Sequence, residues 1–265
     1  MTTITLDVPA GRPFGLLRHS LALGKRSLIK TLRTPEQLLD VTLQPVIFIL
    51  VFVYLLGGAI AGSTHAYLQF LLPAITVQTL MFASMATGTN LNSDVKKGVF
   101  DRFRSLPISR AAPLVGAVFG DLIRFVVSIT VSFGFGLIMG FRFQTNPVEV
   151  IGAILLMLFF AFSLSWIFVL VGVLVREPGA VQGIGFVTLF PLTFGTNMMV
   201  KTDTLPSWLQ AWVKINPVTD VMASVRALTL GDGPIAGPVT HTLLVSAGIL
   251  VVFAPLAVRA YRRRA

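Results

Sequence analysis

"NSDVKKGVFDRFRSLPISR", residues Asn92–Arg110, is the stretch from which the fold is read. It holds two lysines, three arginines and two aspartates, and long apolar runs flank it on both sides. The chain of 265 residues is 54% hydrophobic and 12% charged, against about 25% charged in soluble domains. Mean hydropathy is +0.83. So little polar surface cannot face water, and the chain reads as an integral membrane protein. The charged stretch is then a connection lying on one side of a bilayer.

Outward from it, runs of roughly 20 apolar residues mark the spans. Six are legible: Leu38–Ile60, Tyr67–Leu91, Phe125–Phe141, Val148–Val175, Ala180–Val200 and Pro238–Val258. Thr34, Pro35 and Glu36 form a start signal for the first. Interior Pro and Gly do not count against a membrane helix. With the N-terminus in the cytoplasm and six crossings, 17 of the 21 Lys and Arg fall on the cytoplasmic side. That bias sets the topology and puts the C-terminal "YRRRA" in the cytoplasm. A cleavable signal is not expected, because the first long apolar run begins only near Leu38.

Three segments do not span. In 12–33, Phe14, Leu17, Leu21, Leu28 and Leu32 share one helical face, with Arg12, Arg26, Lys30 and Arg33 opposite. This is an amphipathic helix lying on the membrane surface. Residues 201–234 are too polar to cross and read as two short external helices broken at Asn216-Pro217. Trp208 and Trp212, one turn apart, suit the membrane interface. The third is the opening stretch. Val95, Val99, Phe103 and Leu106 alternate with Lys96, Lys97, Arg102 and Arg104 at helical spacing, Gly98 sits between, and Pro107 stops the run. A short amphipathic helix over 94–106 fits this pattern.

Enzymatic chemistry is not indicated. There is no G-x-x-x-x-G-K-[ST], no G-x-S-x-G and no paired-histidine helix, and cysteine is absent. His19, His65 and His241 lie far apart, so no metal site is expected. The net charge of +10 follows from topology and does not call for nucleic acid. Carboxylates are scarce within the spans, which disfavours an ion-coupled carrier. Asp121 and Arg124 share a helix face just before the apolar run at Phe125. They read as an ion pair at the cytoplasmic mouth of the third span, either orienting the helix or forming a gate. Asp220 and Arg226 read as solvated charges, with bracing of the external helices the less favoured reading.

The segment "SDVKKGVFDRFRSLPISRAAPLVGAVFGDLIR" resembles the signature of ABC-2-type permeases, especially the daunorubicin-resistance (DrrB-like) membrane subunits. Gly98, Asp101, Arg102, Arg104, Leu106, Pro107, Arg110, Gly116, Asp121 and Arg124 fill its places. "LPSWLQAWVKINPVTDVMASVRALTLG" is similar to the second signature, through Pro206, Trp208, Asn216, Pro217 and Arg226. The resemblance implies an all-α membrane domain. It would pair with a second permease chain and dock two copies of a separate cytosolic ATPase that carries ATP and magnesium. Asp94, Lys97, Gly98, Phe100, Asp101, Arg102, Phe103, Arg104, Leu106 and Pro107 would form the coupling helix against that ATPase. The cargo would be a hydrophobic or amphipathic molecule moved outward. A non-transporting scaffold and an ion-coupled carrier are the alternatives.

Overall fold

The computed structural model describes residues 35–99 and 112–264. The expected surface helix at 12–33 and residues 100–111 of the charged stretch lie outside the described residues. Among those described, regular structure is entirely helical. The helices are α1 (Pro35–Ala61), α2 (Thr64–Lys96), α3 (Ala112–Ile138), α4 (Pro147–Leu174), α5 (Pro178–Phe194), α6 (Ser207–Ile215), α7 (Pro217–Leu230) and α8 (Ala236–Arg264).

Side chains set the starts of several helices. Ser63 accepts from the Ala66 N–H at 3.1 Å to open α2. Asn146 caps α4 through the Glu149 N–H at 2.9 Å, with Pro147 following it. Asn216 caps α7 through the Val218 N–H at 3.0 Å, with Pro217 next. Each satisfies an N–H that the helix leaves without a partner, and proline loses nothing at the first helical position.

Five helices (α1 to α4 and α8) are long and apolar enough to cross a membrane. The fifth expected span differs. It was expected over Ala180–Val200, but α5 has 17 residues and ends at Phe194, a length of about 25 Å against a hydrocarbon core of about 30 Å. The cause is local. The Asn216 amide donates to the carbonyls of Leu192 and Gly195, both at 2.9 Å, and so takes up the last groups of α5. The third span also differs: α3 is already helical at Ala112, well before the apolar run.

α2 is the hub and packs against α1, α3, α4, α5 and α7. Within its apolar window 83% of residues are buried, against 11% in α8. α1 and α8 turn apolar side chains such as Leu43, Ile47, Leu244 and Val251 outward, as a lipid environment allows. The two ends of α2 name the ends of the bundle. Leu91, Leu114, Trp166, Val173 and Tyr261 cluster at the Lys96 end.

α2 and α4 meet backbone to backbone. A Cβ on Gly88 would stand 2.2 Å from the Phe168 carbonyl oxygen, and one on Gly172 would stand 2.4 Å from that of Gly88. Ser84 Oγ donates to the Ala161 carbonyl at 3.0 Å across the same seam. Membrane helices gain no hydrophobic drive from meeting each other, so close approach over small residues does the work. Among other glycines of the spans, Gly136 abuts Leu72 and Gly185 abuts Met85, whereas Gly134, Gly179 and Gly183 face open space.

A methyl group at Gly172 should therefore cost about 1–3 kcal/mol by overpacking. Thermal unfolding of purified Gly172→Ala should show a clearly lowered midpoint. Gly152→Ala on the same helix meets no atom within 4 Å and should leave the midpoint unchanged.

Candidate functional site: a pinned helix end and a buried arginine

Residues Asp94–Lys96, expected to begin a separate short helix, are instead the last turn of α2. Nothing in Asn92–Lys96 stops a helix. The break comes at Gly98, which takes φ +69° and closes the helix with an N–H bond to the Val95 carbonyl at 3.0 Å. That left-handed conformation is costly for any residue with a Cβ. Lys97 and Gly98 thus form the turn that leads into the undescribed residues, among them Phe100, Asp101, Arg102, Phe103, Arg104, Leu106 and Pro107.

The end of α2 is tied to its neighbours. Asn92 is buried, and its Nδ2 donates to the carbonyls of Gly172 at 2.8 Å and Val175 at 2.7 Å. Both belong to the C-terminus of α4, whose last carbonyls lack helical partners. One turn on, Lys96 Nζ meets Glu177 Oε2 at 2.6 Å, and Glu177 is the residue from which α5 starts. The residues just before Gly98 are therefore tied to α4 and α5 through hydrogen bonds as well as packing.

Asp121 and Arg124, expected just before the apolar run of the third span, lie within α3, which is already helical at Ala112. Arg124 stands about 15 Å along the axis from Leu114, and both side chains are over nine-tenths buried. The helix does not stop at them because they answer each other, Arg124 Nη1 donating to Asp121 Oδ1 at 3.3 Å. Arg124 also lines a cavity of about 220 Å³ with Gln44 of α1, Thr79, Phe82, Met85, Thr89 and Asn90 of α2, and Gln182 and Phe186 of α5.

The Thr64 end holds the second set of expected residues, and here Arg226 corrects the sequence reading. It is not solvated. It is 4% exposed and binds four acceptors: Nε to Phe70 O at 3.0 Å, Nη1 to Asn197 Oδ1 at 3.3 Å, and Nη2 to the carbonyls of Asn197 and Met198, both at 3.0 Å. Its Cζ sits 3.8 Å from the Phe70 ring centroid. Burial lowers its pKa to about 10, opposed by Asp232 and Tyr67, so the guanidinium stays charged at neutral pH. A cation this dry survives only because backbone carbonyls replace its water. Arg226 thus joins α7, the turn after α5 and the start of α2, which is the bracing role. Asp220, also expected to be solvated, pairs with His241 Nδ1 of α8 at 2.5 Å. Asn216 and Pro217 separate α6 from α7 as expected, and Trp208 is exposed while Trp212 lies against Gly195.

The sequence reading did not single out Gly88, Gly172 or the bonds of Asn92. A signal was there: Ser84, Gly88 and Asn92 repeat every fourth residue, a small and polar stripe on one helix face.

Apolar helices around a polar cavity, with one helix end pinned to two others, make a membrane transport domain. The comparisons agree. The ABC-2 type transporter family matches residues 18–230, and the chain belongs to it. It is 44% identical over 241 residues to the daunorubicin resistance ABC transporter permease protein DrrB1 of Streptomyces coeruleorubidus, covering 90% of this chain and 84% of that one. It is 28% identical over 221 residues to the probable doxorubicin resistance ABC transporter permease protein DrrC of Mycobacterium tuberculosis, covering 83% and 79%. The putative transport permease ycf38 of Cyanophora paradoxa is 27% identical over 223 residues, covering 81% and 75%. The chain is a multi-pass membrane permease subunit of an ABC transporter.

Replacing Asn92 with Ala removes both hydrogen bonds to the end of α4, one of them buried, and should cost about 2 kcal/mol. Lys96→Ala breaks an exposed ion pair and should stay within about 0.5 kcal/mol. Unfolding midpoints of the two purified variants compared with wild type check this contrast.

Proposed function

We propose that this permease exports a hydrophobic or amphipathic molecule, drug-like or lipid-like, powered by ATP hydrolysis on a separate subunit. Two permease chains pair, and each docks one cytosolic ATPase that carries ATP and Mg²⁺. The observation that carries the reading is the end of α2. Its hydrogen bonds to α4 and ion pair to α5 lie within seven residues of the Gly98 turn. A push on the segment after Gly98 would move the bundle without slack. The names of the relatives, which are resistance permeases for daunorubicin and doxorubicin, support a drug-like cargo.

In this reading the Lys96 end faces the cytoplasm, as do both termini. Lys96, Lys97, Arg176, Arg259, Arg262 and Arg263 gather there, in line with the bias of basic residues toward that side. α5 makes the fifth of six crossings, its short length met by local thinning of the bilayer. Residues 94–106 form the coupling element, Asp94–Lys96 as the end of α2 and the rest against the ATPase, with 12–33 lying on the membrane beside it. α6 and α7 form an external cover held by Arg226 and Asn216.

Purification with the candidate ATPase tests this. The two should co-purify, and inverted vesicles should take up cargo only with ATP. Gly98→Val and Phe103→Ala should reduce that uptake on the order of tenfold. A permease that binds no ATPase and moves no cargo would leave a scaffold, whereas full uptake by both variants would overturn the coupling role of this segment. Uptake driven by an ion gradient without nucleotide would indicate a carrier instead.

A further inference from the structure

The Arg124 cavity has a chemistry that coupling and topology leave unused. Three helices supply polar side chains to it inside an otherwise apolar bundle: Gln44, Asn90 and Gln182, with Thr79 and Thr89. The two threonine hydroxyls already donate to the Ile75 and Met85 carbonyls, so they offer lone pairs only. Phe82 and Phe186, with ring centroids 5.4 Å apart, form an aromatic wall.

Arg124 is the charge in this cavity, and it is under-served. A guanidinium has five N–H donors. Its hydrogen bonding among the described residues is the single 3.3 Å contact to Asp121, and its buried Nε has no partner. Arg226, equally buried, has four acceptors. A buried cation left this way is costly unless something else accepts from it.

The sign of the missing partner follows from the lining. Among the described side chains, Arg124 borders the cavity, Asp121 does not, and no other ionisable one does. The space is therefore positive, suited to an acidic group and hostile to an ammonium. Its volume of about 220 Å³ falls below the roughly 300–1,000 Å³ of sites that enclose a whole drug-sized ligand. Only a head group fits. The exposed members of the lining, Gln182 and Phe186, are on α5, while Leu43 and Ile47 expose apolar surface on α1 beside Gln44. The cavity opens toward the apolar exterior between α1 and α5.

We propose that this cavity binds the carboxylate or phosphate head group of an amphiphile, which Arg124 holds while the apolar tail leaves between α1 and α5. Asp121 is the internal stand-in that keeps Arg124 paired when the site is empty. A transported cargo and a resident phospholipid share this chemistry. Assigning it to cargo rests on the export reading above, but the head-group site itself does not.

The test uses the full-length permease in phosphatidylcholine nanodiscs, with dansyl-undecanoic acid as probe and its methyl ester as the uncharged match. The acid should bind about tenfold more tightly than the ester. Arg124→Gln should erase that preference with ester binding unchanged, and Arg124→Lys should keep part of it. Asp121→Asn removes the internal competitor and should tighten acid binding, an effect that a purely structural ion pair would not produce. It also keeps the test decisive if Arg124→Gln does not fold. Equal binding of acid and ester by wild type, or weaker acid binding by Asp121→Asn, would overturn the proposal. Adding the ATPase separates the two sources: an acid moved by ATP is cargo, and one bound but not moved marks a lipid site. The binding arm needs no ATPase, so its failure is distinct from failure of the export reading.

Discussion

Where α2 crosses α4, the two main chains touch at Gly88 and Gly172 with no side chain between them. The rest of the bundle depends on that approach. In lipid a helix cannot be driven onto its neighbour by hiding apolar surface, because the lipid is equally apolar. What remains is dispersion at short range and hydrogen bonds that water does not contest. Two glycines allow the first. Ser84 and Asn92, one turn to either side, supply the second at 3.0 Å and 2.7–2.8 Å. The contact sets how near α2 lies to α4, and α2 in turn carries α1, α3, α5 and α7.

The same economy of polar groups explains both ends of the molecule. At one, Asn92 closes the carbonyls of α4 and Lys96 reaches the start of α5, so the end of α2 is fixed before the chain turns at Gly98. At the other, Arg226 gathers carbonyls from α2 and from the turn after α5. Asn92, Asn216 and Arg226, all kept inside, each tie separate elements together. Arg124 departs from this pattern: it has one weak internal partner and faces a cavity, and there the structure has room for a ligand.

The class of fold was legible because hydropathy, length and the placement of basic residues all report one physical fact, the cost of charge in hydrocarbon. Asn216-Pro217 was legible for the same local reason that it works, a cap followed by a proline. Arg226 was misread because charge in a polar segment looks solvated until the acceptors from Phe70, Asn197 and Met198 are brought to it, the nearest of them nearly thirty residues away. Asp121 and Arg124 were read as a pair sharing a helix face, and their burial among neighbouring helices was not legible because it depends on distant residues. α5 stopped short of its apolar run because its end is decided by Asn216, which lies beyond the helix. Local pattern carries helix existence well, and it carries tertiary capping poorly.

The central claim is that α2 and α4 move as one body when the segment after Gly98 is displaced. The chain contains no cysteine, so spin labels can be placed without background. Labels at Ser93 and Leu174, on the two helices at the Lys96 end, report the claim directly. A second pair at Leu43 and Val187 spans the opening between α1 and α5. With the ATPase bound, the account predicts that the Ser93–Leu174 distance distribution is the same without nucleotide and with ATP trapped, while the Leu43–Val187 distribution shifts. A nucleotide-dependent change between Ser93 and Leu174 would contradict it.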